Sequence, residues 1–223
     1  QISEQFYVSR PKLLRLLGDE VSSSQYHHIT YFRAKTCEST TAISQLSKNN
    51  NLRSDIINIL LQVGETETGV ALLWSDERVV AILPPFPLDA DSLSKEIDTS
   101  RLIELLDKDL TIAIVLLRLG HYAVGIIRGD NLLASKSGSR YVKNRHRAGG
   151  SSQRRFERSR ERLIREMFDT TCQVANSILN PFDGHIDYLL MGGERHTLQR
   201  FVKRCPYIKH FTSITLNRRL DVE

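Results

Sequence analysis

Cysteine is scarce and scattered in this chain: Cys37, Cys172 and Cys205 are odd in number, and no Cys-x-x-Cys pair occurs. That spacing argues against a disulfide framework and against a Cys-rich zinc site, so three reduced thiols in a cytoplasmic protein are expected. No run of about 18 apolar residues exists, which leaves no candidate membrane-spanning helix and no expected membrane partner. The first ten residues lack a basic stretch followed by an apolar one, so no export signal is expected. Neither of the glycine-rich nucleotide fingerprints, G-x-G-x-x-G or G-x-x-x-x-G-K-[ST], is present, and no internal repeat is visible.

What is present suffices for folded structure. Forty per cent of the 223 residues are hydrophobic, enough for a substantial core and too many for a disordered chain. The formal charge of +5 is modest, but it is unevenly placed. Eleven Lys and Arg stand between Lys136 and Arg165 against two Glu, a local charge of +9, which leaves −4 on the rest. With so few acidic residues to form i,i+4 pairs, this segment is read as a contact for nucleic-acid phosphates rather than as a solvated helix face.

Residues 1–65 read as a mostly helical segment, with Pro11–Leu17 an amphipathic helix closed by Gly18, a β-prone stretch at Tyr26–Ala34, and helix from Ser44 to Val63 broken at the three asparagines 49–51. His27 and His28 lack companions at metal-ligand spacing and are read as packing or surface residues. From residue 66 the pattern changes. Gly69–Trp74 and Arg78–Leu83 are apolar runs around a turn, which reads as a hairpin. A helix is expected over Ser92–Leu106, strands over Thr111–Leu117, Tyr122–Ile127 and Asn131–Ser135, and a long helix from Arg154 to Leu179 stopped by Pro181. A strand at Ile186–Met191, a helix at Thr197–Arg204 and a strand at Phe211–Leu216 follow. The whole reads as an α/β mixed-sheet domain over residues 66–223. Arg128-Gly129-Asp130 is read as a β-turn, and Met191-Gly192-Gly193-Glu194 is a weak candidate for a phosphate-binding turn.

Between the third strand and the long helix, residues 137–153 show no apolar period and read as an exposed loop, a place where function concentrates. Its end runs Lys143-Asn144-Arg145-His146-Arg147-Ala148-Gly149-Gly150-Ser151-Ser152-Gln153. Two glycines let backbone approach a substrate closely. The loop holds no paired carboxylates and no cysteine, so any catalysis there works by positioning and hydrogen bonding.

The stretch from Arg145 through Gln153-Arg154-Arg155-Phe156-Glu157-Arg158 resembles the central domain of eukaryotic and archaeal class-1 peptide-release factors, in which a Gly-Gly-Gln loop precedes an Arg-Arg-Phe-x-Arg helix. Tyr122–Ile126, Ser135–Gly138 and Asp187–Gly193 resemble the same domain. Here Ser151 and Ser152 stand between Gly-Gly and Gln, a spacing closer to the Vms-type release-factor-like peptidyl-tRNA hydrolases. The resemblance implies a ribonuclease-H-like fold and a codon-independent hydrolase of ribosome rescue, since the large codon-reading domain of a release factor has no counterpart here. It implies a catalytic loop of Gln153, Gly149, Gly150, Ser151 and Ser152. RNA contacts would come from Lys143, Arg145, His146, Arg147, Arg154, Arg155, Arg158 and Arg162. The implied partners are the peptidyl transferase centre of the large ribosomal subunit and peptidyl-tRNA. No cofactor or metal is implied, and a monomer is expected. Cleavage of the tRNA near its 3′ end and a non-catalytic ribosome- or tRNA-binding module are the alternatives.

Overall fold

The structure, a computed structural model, describes residues 4, 6–22, 26–50, 52–93, 97–142 and 151–220. It divides into two compact units, residues 1–108 and 109–223.

In the first unit the chain forms α1 (Arg10–Ser22), β1 (His28–Phe32), α2 (Ala34–Cys37), α3 (Thr40–Asn50), α4 (Ser54–Val63), β2 (Val70–Trp74), β3 (Val79–Ile82), β4 (Ser92–Leu93) and α5 (Ser100–Asp107). The strands make an antiparallel sheet in the order β3-β2-β1-β4. Successive side chains of a strand point to opposite faces, and here both faces are covered. Ile29, Tyr31, Ala71 and Leu73 pack with Leu17 of α1 and Leu102 and Leu106 of α5. Phe32, Val70 and Leu72 pack with Ile43 of α3 and Ile56 and Leu60 of α4. Burial on both sides explains the unbroken apolar run at 70–73. It also moves the boundary between units from about residue 65 to residue 108. The hairpin of β2 and β3 does not open a second domain, because β2 pairs with β1 from Phe32↔Val70 to His28↔Trp74. His28 stacks on Trp74 with ring centroids 4.1 Å apart, the packing role expected of it.

Two local expectations differ. The first helix continues through Gly18 to Ser22. The helix expected from Ser92 begins only at Ser100, because Ser92 and Leu93 pair with Tyr31 and Thr30 along the free edge of β1. Long-range pairing of this kind overrides local propensity.

The second unit contains β5 (Thr111–Arg118), β6 (His121–Arg128), β7 (Asn131–Ser139), α6 (Ser151–Leu179), β8 (Tyr188–Gly193), α7 (Arg195–Arg204), α8 (Pro206–Lys209) and β9 (Thr215–Leu220). Its sheet order is β7-β6-β5-β8-β9, with β7, β6 and β5 antiparallel and β5, β8 and β9 parallel. This is the mixed-sheet α/β layout expected from the sequence. One face, carrying Ala113, Val115, Leu117, Val124 and Ile126, packs against Ile164, Met167, Phe168, Val174, Ala175 and Leu179 of α6 and Leu198 and Phe201 of α7. Each fully buried Val, Leu, Ile, Met or Phe side chain among these contributes about 1.5–3 kcal/mol. The last strand starts four residues later than the sequence suggested, since Phe211 is buried in the core ahead of it rather than paired in the sheet.

Gly193 closes β8 with φ at +130°, and a Cβ there would stand 2.0 Å from the Leu117 carbonyl oxygen. The Gly192-Gly193 element therefore serves the close approach of β8 to β5, which gives it a structural reason in place of the phosphate-turn reading. The Arg128-Gly129-Asp130 turn joins β6 to β7 with Gly129 at φ +54°.

Candidate active site

The sheet and α6 together determine where Gln153 stands. The buried positions of α6 begin at Ile164 and recur at Met167, Phe168, Thr171, Val174, Ala175 and Leu179, a helical stripe against the sheet. Met167 marks the level of the β5–β6 turn, where its Sδ accepts the Gly120 N–H at 3.3 Å. Before Ile164 no residue of α6 joins the core among those described. Residues 151–163 thus form an arm about 20 Å long at 1.5 Å per residue. Phe156 is 46% exposed on this arm. The reason is length: the helix is longer than the sheet face it covers.

Of the expected site residues, Lys143, Arg145, His146, Arg147, Gly149 and Gly150 lie outside the described residues, as do the side chains of Ser151 and Ser152. The expected loop is shorter than 137–153 at both ends. Residues 137–139 pair with β6, and Ser151, Ser152 and Gln153 are the first three residues of α6. Gln153 is half-buried, and its Nε2 donates to Glu157 Oε1 at 3.1 Å one turn on. Arg154, Arg155 and Arg158 are exposed, with no acidic partner among the described residues. Arg162 is exposed and pairs with Glu166 at 3.5 Å. Five arginines and two glutamates lie between Ser151 and Leu163, so the arm carries a net positive charge, with Gln153 the third of its residues.

The sequence reading missed what holds the arm's base. Arg200 of α7 pairs with Glu161, and its guanidinium lies 5.8 Å from the Phe168 ring centroid. Arg204, one turn later, binds Asp169 through two hydrogen bonds of 2.7 Å, which raise the Arg204 pKa. Phe168 and Phe201 meet edge-on beneath these pairs. Cys172 and Cys205 are joined as a disulfide with Cα atoms 5.5 Å apart, which corrects the expectation of three free thiols. A separation of 33 residues gives no signal of pairing; only the packing of α7 beside α6 brings the two together. Cys37 alone is free, and it is buried. No helix among the described residues is long and apolar enough to cross a membrane.

Residues 110–223, nearly the whole second unit and just over half of the chain, match the family model described as Actinobacteria/chloroflexi VLRF1 release factor. The chain belongs to this VLRF1 release-factor family. Among curated relatives, peptide chain release factor subunit 1 of Thermococcus sibiricus is 29% identical over 157 residues, covering 65% of this chain and 38% of that protein. The corresponding protein of Aeropyrum pernix is 27% identical over 111 residues, covering 49% and 30%. The chain therefore spans about two-fifths or less of these relatives. Among solved structures, an archaeal translation termination factor aligns with a TM-score of 0.40 and 19% identity, covering 96% of this chain and 66% of that one. The Vms1 mitochondrial localization core aligns with a TM-score of 0.31 and 12% identity, covering 84% and 73%.

Proposed function

We propose that this VLRF1-family chain is a codon-independent peptidyl-tRNA hydrolase of ribosome rescue, working as a monomer on the peptidyl transferase centre of the large subunit. The observation that carries the reading is Gln153 at the tip of a positively charged helical arm about 20 Å long, a form suited to a deep, narrow, RNA-walled site. Arg154, Arg155, Arg158 and Arg162, with Lys143, Arg145, His146 and Arg147 ahead of the helix, grip phosphates of the tRNA acceptor and ribosomal RNA. Gly149, Gly150, Ser151 and Ser152 set the reach of the tip. A water molecule attacks the ester carbonyl carbon that joins peptide to the terminal ribose. The Gln153 backbone N–H and side chain hydrogen-bond the developing oxyanion and orient that water. The ester C–O bond then breaks, and the ribose oxygen leaves with a proton.

The test is peptide release from labelled peptidyl-tRNA on stalled large subunits by wild type and Gln153→Ala. Release without a codon requirement, lost in the variant while particle binding persists, is the expected result. An intact 3′ CCA end on the product tRNA identifies ester hydrolysis, and a shortened end identifies RNA cleavage instead. Binding by wild type with no release would refute catalysis and leave a ribosome-binding module, the reading to which the two serines between Gly-Gly and Gln lend support.

A further inference from the structure

We propose that Arg118, Arg140 and Tyr141, grouped around the β5–β6 turn of the second unit, form a docking platform for an unpaired nucleotide of ribosomal RNA. Tyr141 stacks on the base, and the two arginines take the phosphates beside it. The inference rests on the ribosomal reading above for its partner, but it uses none of the residues assigned to release.

Strands β5 and β6 join through Leu119-Gly120, which sets Arg118 opposite His121. Strand β7 ends beside this turn, with Ser139 opposite His121, and the Arg140 N–H donates to the Gly120 carbonyl at 2.8 Å. Val142 then packs against the hydrophobic core. Tyr141 is thus fixed between one hydrogen-bonded neighbour and one packed neighbour, while its own side chain is 76% exposed. It has no side-chain partner among the described residues. A ring held in place yet left to solvent offers a base a stacking surface with little ordering cost. Arg118 and Arg140 are exposed and have no acidic partner among the described residues. Glu194 follows the Gly193 that pairs with Leu117, but its carboxylate accepts the Thr197 hydroxyl at 2.6 Å. Two guanidinium groups flanking one turn suit phosphate, and an aromatic ring among them is the arrangement that holds single-stranded nucleic acid. Residues 109–223 hold 20 Lys and Arg against 11 Asp and Glu, an excess that favours a polyanion over a protein partner.

Position selects which RNA. The Gly120 N–H donates to Met167 Sδ at 3.3 Å, so the platform is level with Met167 of α6. Gln153 lies 14 residues earlier in the helix, about 21 Å along its axis. With Gln153 at the tRNA terminal adenosine, the platform stands about that far back, at the mouth of the site, where it meets the ribosomal wall rather than the tRNA 3′ end.

The test measures affinity of the full chain for large ribosomal subunits without tRNA, across a salt series. Y141A and Y141L are expected to bind about 5- to 150-fold more weakly, the worth of one base–aromatic stack, with the salt slope unchanged. Y141F and Y141W keep a ring and should bind like wild type. R118A combined with R140A should lower the slope of log affinity against log salt by about 1.4–1.8, as expected for two lost phosphate contacts. Melting temperatures and affinity for isolated deacylated tRNA should stay at wild-type values, because the altered side chains are exposed. Tyr141→p-benzoylphenylalanine should photocrosslink to ribosomal RNA. Wild-type binding by Y141L, an unchanged slope in the double variant, or a crosslink only to tRNA or to ribosomal protein would overturn the proposal, as would a wild type that does not bind the subunits. Because the readout is binding, a wild type that binds through Tyr141 yet releases no peptide leaves the platform standing, and only the release reading falls.

Discussion

Reduction of the Cys172–Cys205 bond is the perturbation with the clearest calculated magnitude. The bond closes a segment of 33 residues between α6 and the end of α7. The loop-closure entropy it removes from the unfolded chain amounts to about 3.7 kcal/mol at 25 °C for a loop of that length. In a unit of this size, that stabilisation corresponds to a fall in melting temperature on the order of 10–15 °C. Cys205 is fully buried and Cys172 half-buried, and both keep their packing as thiols, so reduction tests the crosslink itself better than substitution does. Calorimetry of the oxidised protein against the same protein in tris(carboxyethyl)phosphine is the assay, with hydrogen exchange localising the loss to residues 109–223. A thiol count in denaturant without reductant should give one reactive cysteine, Cys37. A count of three, or melting temperatures that coincide in the two conditions, would refute the reasoning. The outcome also bears on location, since a disulfide is rarely retained in a reducing cytoplasm.

Replacing Arg154, Arg155 and Arg158 together by alanine should weaken binding to large subunits and reduce the slope of log affinity against log salt by about 2–3, as expected for three lost phosphate contacts; an unchanged slope would show that they do not contact phosphate. Gly193→Ala should destabilise the second unit by about 1–3 kcal/mol in urea titrations, because its backbone sits at φ +130° and a Cβ meets the Leu117 carbonyl. Burial first, then the Asp91 and Glu38 carboxylates, push the Cys37 thiol up to about 11. An unfolded thiol ionises near pH 8.5, so this group's contribution to stability is flat below that pH and falls as pH rises from about 8.5 to about 11. C37A should remove this part of the fall, and equal pH slopes in the two proteins would count against it.

Where local chemistry spoke for itself, the sequence could be read directly. Helix α6 announced itself by its apolar period and stopping proline, and the β5–β6 hairpin by two apolar runs around Leu119-Gly120. The Gly-Gly-Ser-Ser-Gln-Arg-Arg-Phe run pointed to a release-factor relative, and the family match over residues 110–223 agrees. Charge clustering around Lys136–Arg165 was also a property of the sequence alone. What the tertiary structure decided were relations between distant residues. The unit boundary moved to residue 108 because β1 and β2, some forty residues apart, are neighbours in one sheet. Gln153 passed from loop to helix because α6 extends beyond the sheet that buries its other end. The pairing of Cys172 with Cys205, and of Arg200 and Arg204 with Glu161 and Asp169, depends on α7 lying against α6. Periodicity reports which face of an element is buried, but not which partner buries it or how far the element runs past that partner. Those are settled only when the chain packs.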